Sequence, residues 1–131
     1  MGGPEGDGGH PRMSDVLAAR RRIGGQVRRT PLVASPVLTA RLGQPVHLKC
    51  EHHQITGAFK LRGATNAVFS LTGEQRARGV TAASTGNHGR ALAHAAKEAG
   101  TPCIICMSRL VPRNKVEAIA ALGAETRIVG E

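Results

Sequence analysis

At 131 residues with 40% hydrophobic composition, the chain is long enough for one domain with its own core and too apolar to be disordered throughout. No apolar run approaches the roughly 18 residues that cross a bilayer, and the opening MGGPEGDGGHPRM has neither the basic start nor the apolar stretch of a secretory signal, so a cytosolic (cytoplasmic) protein without membrane contact is expected. A net charge of +9 raises nucleic acid as a partner, but with no Trp, no Tyr and two Phe there is little to stack on bases. The local cluster Arg20, Arg21, Arg22, Arg28 and Arg29 fits an exposed helix face, and no nucleic-acid partner is expected.

Residues 1–13 hold five glycines and two prolines and no periodic apolar pattern, so they are read as a disordered tail before a domain over 14–131. From Ser14, a candidate N-cap, Val16, Ala19, Ile23 and Val27 recur at helical spacing until Gly24 and Gly25 weaken the pattern. RTPLV reads as extended, because Pro31 lacks a donor and biases Thr30 away from helix. PVHLKC is a strand candidate, and after a polar loop Leu61, Ala64, Val68 and Leu71 mark a helix that stops near Gly73. GVTAA is the next strand, leading through STG into a helix with the face Leu92, Ala95, Ala96 and Ala99, ending at Gly100. TPCIICM is a third strand, Val116, Ile119, Ala120 and Gly123 seam a helix after Pro112, and TRIVG begins a fourth strand.

Strands alternating with helices predict the α/β class, a parallel sheet with helices on its faces. Ligands in such sheets sit beyond the carboxyl ends of the strands, which singles out two loops, EHHQITGAFK and ASTGNHG. Both follow strands that are expected to be parallel neighbours, so both are expected at one sheet edge. Cys50, Cys103 and Cys106 lie in or beside apolar strands and read as reduced thiols. The CxxC of Cys103 and Cys106 does not open a helix as a redox motif would. His52 and His53 are adjacent, and adjacent side chains rarely converge on one ion, so no metal site is expected.

In ASTGNHG, small and polar residues join a strand to a helix whose first N–H groups lack intrahelical partners, a ready anion site. Gly86 and Gly89 would let the backbone approach a ligand, and the hydroxyls of Ser84 and Thr85 add donors. The alternative is a capped helix that binds nothing, and local features leave both open. In ITGAFKLRGA, Lys60 stands at a helix start against the helix dipole, which favours the neutral amine that a Schiff base needs, although a lone lysine is more often simply solvated.

TGAFKLRGA followed by ASTGNHG resembles the paired signatures of fold type II pyridoxal-phosphate enzymes, especially threonine/serine dehydratases and serine racemase. RTPL, LKxExxQxTGxFKxRGA, STGNHGRALA and MxxxxPxxKxxAIxxLGA occur in that order from about Arg29 onward. CMSRLVPRNKVEAIAALGA is similar to the hydroxyectoine-utilisation dehydratases of the same family. The resemblance implies the N-terminal part of a tryptophan synthase β-like fold. It implies that Lys60 holds the aldehyde of pyridoxal 5'-phosphate and, once freed, takes the substrate α-proton. It further implies that Phe59 packs near the cofactor ring, that Asn87 donates to its phenolic oxygen, and that Ser84, Thr85, Gly86, Asn87 and His88 grip the carboxylate of a small amino-acid substrate.

The implied reaction is β-elimination from a hydroxy amino acid such as threonine or serine, giving a 2-oxo acid and ammonia. The alternatives are racemisation or β-replacement on the same fold, or a noncatalytic remnant. Ala58 stands where the family often has serine, and His52–His53 replace a more usual Asn-Leu pair. Thr85 stands where serine racemase has the serine that acts from the opposite face, which makes its hydroxyl a second catalytic candidate beside Lys60, and its extra methyl favours elimination over racemisation. The resemblance also implies a homodimer for a full-length protein. The family's glycine-rich phosphate cup finds no counterpart in the sequence, so a fragment that binds the cofactor poorly by itself is expected.

Overall fold

The structure is a computed structural model that describes residues 10–130. Most of the tail expected over residues 1–13 lies outside the described residues; His10, Pro11 and Arg12 have no regular structure, and Met13 already opens helix α1 (Met13–Arg22). Ser14 is therefore inside the helix rather than its cap. Arg12 is the N-cap, and its backbone N–H donates to Asp15 Oδ2 at 2.8 Å, while Arg20, Arg21 and Arg22 occupy the last turn, where cations suit the helix dipole. The helix packs on α3 but buries no residue fully, and Val16 stays exposed.

β1 (Leu32–Ala34) and β2 (His47–Lys49) flank the short helix α2 (Pro36–Leu42). Ser35 caps α2 by accepting the Leu38 N–H, Pro36 sits at its first turn, and Gly43 ends it at φ 66°. Here the structure departs from the expectation. β2 does not join the parallel sheet; it pairs antiparallel with β1, Leu32 opposite Lys49 and Ala34 opposite His47. The connection over residues 35–46, with α2 inside it, turns the chain back so that β2 runs beside β1 in the opposite direction.

The parallel sheet has the order β3-β4-β5: β3 (Val80–Ala83), β4 (Cys103–Met107) and β5 (Glu125–Ile128). Val80 faces Cys103 and Ile104 faces Glu125 across the two parallel registers. The connections are α5 (Asn87–Glu98) and α6 (Arg113–Ala120), so the strand–helix alternation read from the sequence holds from β3 onward. β4 is central and alternates buried and half-buried residues, with Cys103, Ile105 and Met107 inward. Cys103 and Cys106 are an odd number of positions apart on this strand and face opposite sides of the sheet, and all three cysteines are free.

The core forms where α3 (Lys60–Ser70) packs on α5 and α5 on β4. Leu61, Ala64, Thr65 and Val68 are the buried stripe of α3; Ala91, Leu92, Ala95 and Ala96 answer from α5. The small alanines let the two helices approach closely, as helix interfaces built from small residues do. α3 ends at Ser70, and a further helix, α4 (Gly73–Arg78), follows where the sequence suggested only a stop. Its signal is the reciprocal capping pair Thr72–Gln75: the Gln75 N–H donates to Thr72 Oγ1 and the Thr72 N–H to Gln75 Oε1. Among the described residues no helix is long and apolar enough to cross a membrane.

Candidate active site

The carboxyl ends of β3 and β4 open onto one cleft. β3 runs through Ser84, Thr85 and Gly86 into α5, and β4 runs through Ser108–Pro112 into α6. Between these turns lies a cavity of about 250 Å³ lined by Thr85, Gly86, Asn87, Arg90, Asn114, Lys115, Ala118 and Ile119. A second hollow of about 200 Å³ shares Thr85 and Lys115 and adds Ser108, Val111 and Pro112. A ligand crevice at this end of a parallel sheet follows from the strands themselves, whose buried backbones leave polar chemistry to the loops.

The turn caps α5 and still leaves donors without acceptors among the described residues. Ser84 Oγ accepts the N–H of Gly89 at 2.9 Å and, more weakly, that of Gly86 at 3.4 Å, so it closes the start of α5 as a cap does. The hydroxyl proton of Ser84 has no acceptor among the described residues, nor do the N–H groups of Asn87 and His88. The turn therefore keeps donors at the positive end of α5, where an anion is favoured. Thr85, Gly86 and Asn87 line the cleft and are exposed; Ser84 and His88 are not among its lining residues.

Gly89 differs from the expectation. Its missing side chain serves the packing of α5 on the sheet: an added Cβ would stand 3.1 Å from Ile105 Cγ2 and 3.2 Å from the Ser84 carbonyl oxygen. Gly86 alone of the two leaves open space for a ligand, with nothing within 4 Å of an added Cβ.

Lys60 is the first residue of α3, exposed, with Nζ 5.3 Å from the centroid of the Phe59 ring. Among the described residues it forms no ion pair. Phe59 is 60% exposed, a large ring left open to contact. Neither residue lines the β3–β4 cleft. Lys60 and Asn87 begin α3 and α5, which pack on each other, but no hydrogen bond or shared cavity among the described residues links Lys60 to the turn. The expected common position after two parallel strands does not apply to Lys60, because β2 belongs to the antiparallel ribbon.

Reasoning from the sequence overlooked Arg90, Asn114 and Lys115 as cleft residues. For Asn114 and Lys115 the signal was present in PRNK, which stands at a second strand-to-helix turn of the same parallel sheet, and Arg90 lies one turn into the helix that follows STG. Arg90 and Lys115 form no ion pair among the described residues, and no carboxylate lines the cleft, so its chemistry suits an anion. Thr56, in the loop before Lys60, is 4% exposed with a hydroxyl that has no hydrogen-bond partner among the described residues. His52 and His53 are exposed with ring centroids 4.2 Å apart, and no group of three or more potential metal ligands occurs among the described residues.

Comparison with known proteins agrees with this architecture. A protein of Sinorhizobium fredii named "Putative threonine dehydratase" is 58% identical over 118 residues, covering 90% of this chain and 36% of that protein. The L-threo-3-hydroxyaspartate ammonia-lyase of Saccharomyces cerevisiae is 46% identical over 114 residues, covering 87% of this chain and 35% of that protein. Among solved structures, serine racemase from Dictyostelium discoideum superposes with a TM-score of 0.84 at 36% identity, covering 88% of this chain and 38% of that one. The chain thus spans about a third of the length of the relatives it matches. The family model described as "Pyridoxal-phosphate dependent enzyme" matches residues 23–131, and the chain belongs to that family.

Proposed function

We propose that the protein catalyses β-elimination from a hydroxy amino acid, with Lys60 as cofactor anchor and base and the Ser84–His88 turn as the carboxylate grip. The residues present fit the cofactor. Lys60 offers an exposed primary amine free of ion pairs, Thr56 a buried hydroxyl without a partner, and the start of α5 unsatisfied N–H donors. Asn87 adds a side-chain amide at the same helix start. Phe59, beside the lysine, offers an apolar ring face.

Bound through Lys60, pyridoxal 5'-phosphate would supply an electron sink for negative charge at the substrate α-carbon. Everything else falls to the chain. The turn's N–H groups and the Ser84 and Thr85 hydroxyls hold the substrate carboxylate, and that hold decides which α-bond is aligned for cleavage. Lys60, as a free amine, accepts the α-proton. The β-carbon–oxygen bond then breaks, its oxygen leaves as water, and hydrolysis of the enamine-derived imine gives the 2-oxo acid and ammonia.

The observation that carries this reading is the placement of Lys60 and the donor-rich turn at the starts of two helices packed on each other, in a chain of this family. Threonine and serine are the proposed substrates, and hydroxyaspartate joins them because two similar proteins are named for it. A racemase is the second reading, favoured by the TM-score of 0.84 to a serine racemase. The test is addition of pyridoxal 5'-phosphate to wild type and Lys60→Ala, with the violet absorbance band of the lysine-bound cofactor and the products as readouts. A band in wild type that vanishes in the variant, with a 2-oxo acid formed from threonine or serine, is the expected result. Inverted amino acid without 2-oxo acid would establish the racemase; no band in wild type would favour the noncatalytic remnant over both.

A further inference from the structure

We propose that the backbone carbonyl of Arg28 is the node that positions Lys60, because Gln54 before the lysine and Arg62 after it both donate to that one oxygen, at 3.0 and 3.1 Å. This rests on the reading of Lys60 as the reacting amine. Lys60 follows an irregular stretch, residues 54–59, between a 3-10 turn (Glu51–His53) and α3. Left to itself, such a stretch samples many conformations, at about 1–2 kcal/mol of entropy per residue when it is ordered. The two clasps supply that order from either side of the lysine.

Gln54 makes the first clasp. It is 3% exposed, and besides donating to the Arg28 carbonyl its Oε1 accepts the N–H of Arg28 at 2.8 Å and of Ile55 at 3.0 Å. One side chain thus grips both polar groups of a backbone residue, as a strand partner would. Its own carbonyl accepts the Gly57 N–H at 2.8 Å, and Gly57 turns the chain at φ 74°.

Arg62 makes the second clasp. Its Nε and Nη2 donate to the two oxygens of Glu51 at 2.9 and 2.8 Å, and Nη2 also reaches Thr30 Oγ1 at 3.3 Å. Thr30, itself buried, donates to Glu51 Oε1 at 2.5 Å, and Lys49 Nζ donates to the Thr30 carbonyl at 2.8 Å. The Arg fork fixes direction as well as distance, which a lysine in its place would not. Lys60 itself carries no such tie and contacts the Phe59 ring. The result is an exposed amine on a backbone tied from both sides, with Gln54 and Arg62 as positioning residues that touch no reactant.

The test measures where an aldehyde reacts. The full chain is incubated with pyridoxal 5'-phosphate, reduced with borohydride, and the label at Lys60 is compared by peptide mass spectrometry with that at Lys97, an exposed lysine in the last turn of α5. Variants are Gln54→Met, which keeps volume, Arg62→Lys, which keeps charge, and the double variant. In wild type the label at Lys60 exceeds that at Lys97 by about tenfold or more, and each variant lowers the ratio about fivefold while circular dichroism shows it folded. Variants that melt earlier yet keep the wild-type ratio when folded would show a role in stability alone and overturn the proposal. Wild type without preference for Lys60 would instead remove the reading of that lysine, which separates the two failures.

Discussion

Gly89→Ala tests whether the Ser84–His88 turn is set by the packing of α5 on the sheet. The new Cβ would stand 3.1 Å from Ile105 Cγ2, 3.2 Å from the Ser84 carbonyl oxygen and 3.3 Å from Ser84 Cβ. Ile105 is fully buried and has nowhere to swing, and the Ser84 atoms belong to the turn itself. Against this, alanine favours helix over glycine by at most about 1 kcal/mol, and less in a first turn. Overpacking of a closed core costs about 1–3 kcal/mol, so the steric effect wins and a net loss of about 1–2 kcal/mol is expected. For a chain of this size that lowers Tm by roughly 3–8 °C. Gly63→Ala is the control: it lies inside α3 with nothing within 4 Å of the added Cβ, so helix propensity acts alone and about 0.5–1 kcal/mol is gained. Urea titration of both variants reads the difference. Gly89→Ala as stable as wild type, or both glycine variants shifting in the same direction, would refute the reasoning.

Arg62, with the Thr30 hydroxyl, holds the Glu51 carboxyl below its ordinary value of 4.5. A carboxylate with a depressed folded-state pKa stabilises the fold above the unfolded pKa and loses that contribution as pH falls through the folded one. Glu51→Gln should therefore be less stable than wild type at about pH 7, with the difference shrinking as pH falls below 4.5, as followed by urea midpoints across pH; a constant difference would contradict the linkage. Burial raises the Cys103 thiol pKa, while Cys50 and Cys106 are half-buried. At mildly alkaline pH, iodoacetamide should alkylate Cys50 and Cys106 before Cys103, and mass spectrometry showing Cys103 first would count against the packing of β4.

The parallel unit was legible in the sequence because its signals are local. β-rich runs such as CIICM, small-residue helix faces such as Ala91–Ala96 and glycines at helix ends report on their own neighbourhoods. The turn itself was legible for the same reason, since Ser-Thr-Gly between a strand and a helix marks a helix start, but which of its N–H groups stay unsatisfied was read only from the structure. α4 was legible only through the Thr72–Gln75 pair, which the apolar pattern does not show.

Other features depended on which distant segments meet. Whether PVHLKC pairs with RTPLV or with GVTAA is decided by competing long-range partners, and the structure pairs it antiparallel with RTPLV. The role of Gly89 depends on Ile105, and the role of Gln54 on the backbone of Arg28. Residue type and spacing determined the alternation, the donor-bearing turn and the amine at position 60. Tertiary structure decided strand partners, the cleft walls Arg90, Asn114 and Lys115, and the clasp around Lys60. Hydrogen-bond geometry and steric contact fall off within a few ångströms, so such pairings exist only once the chain has brought their members together.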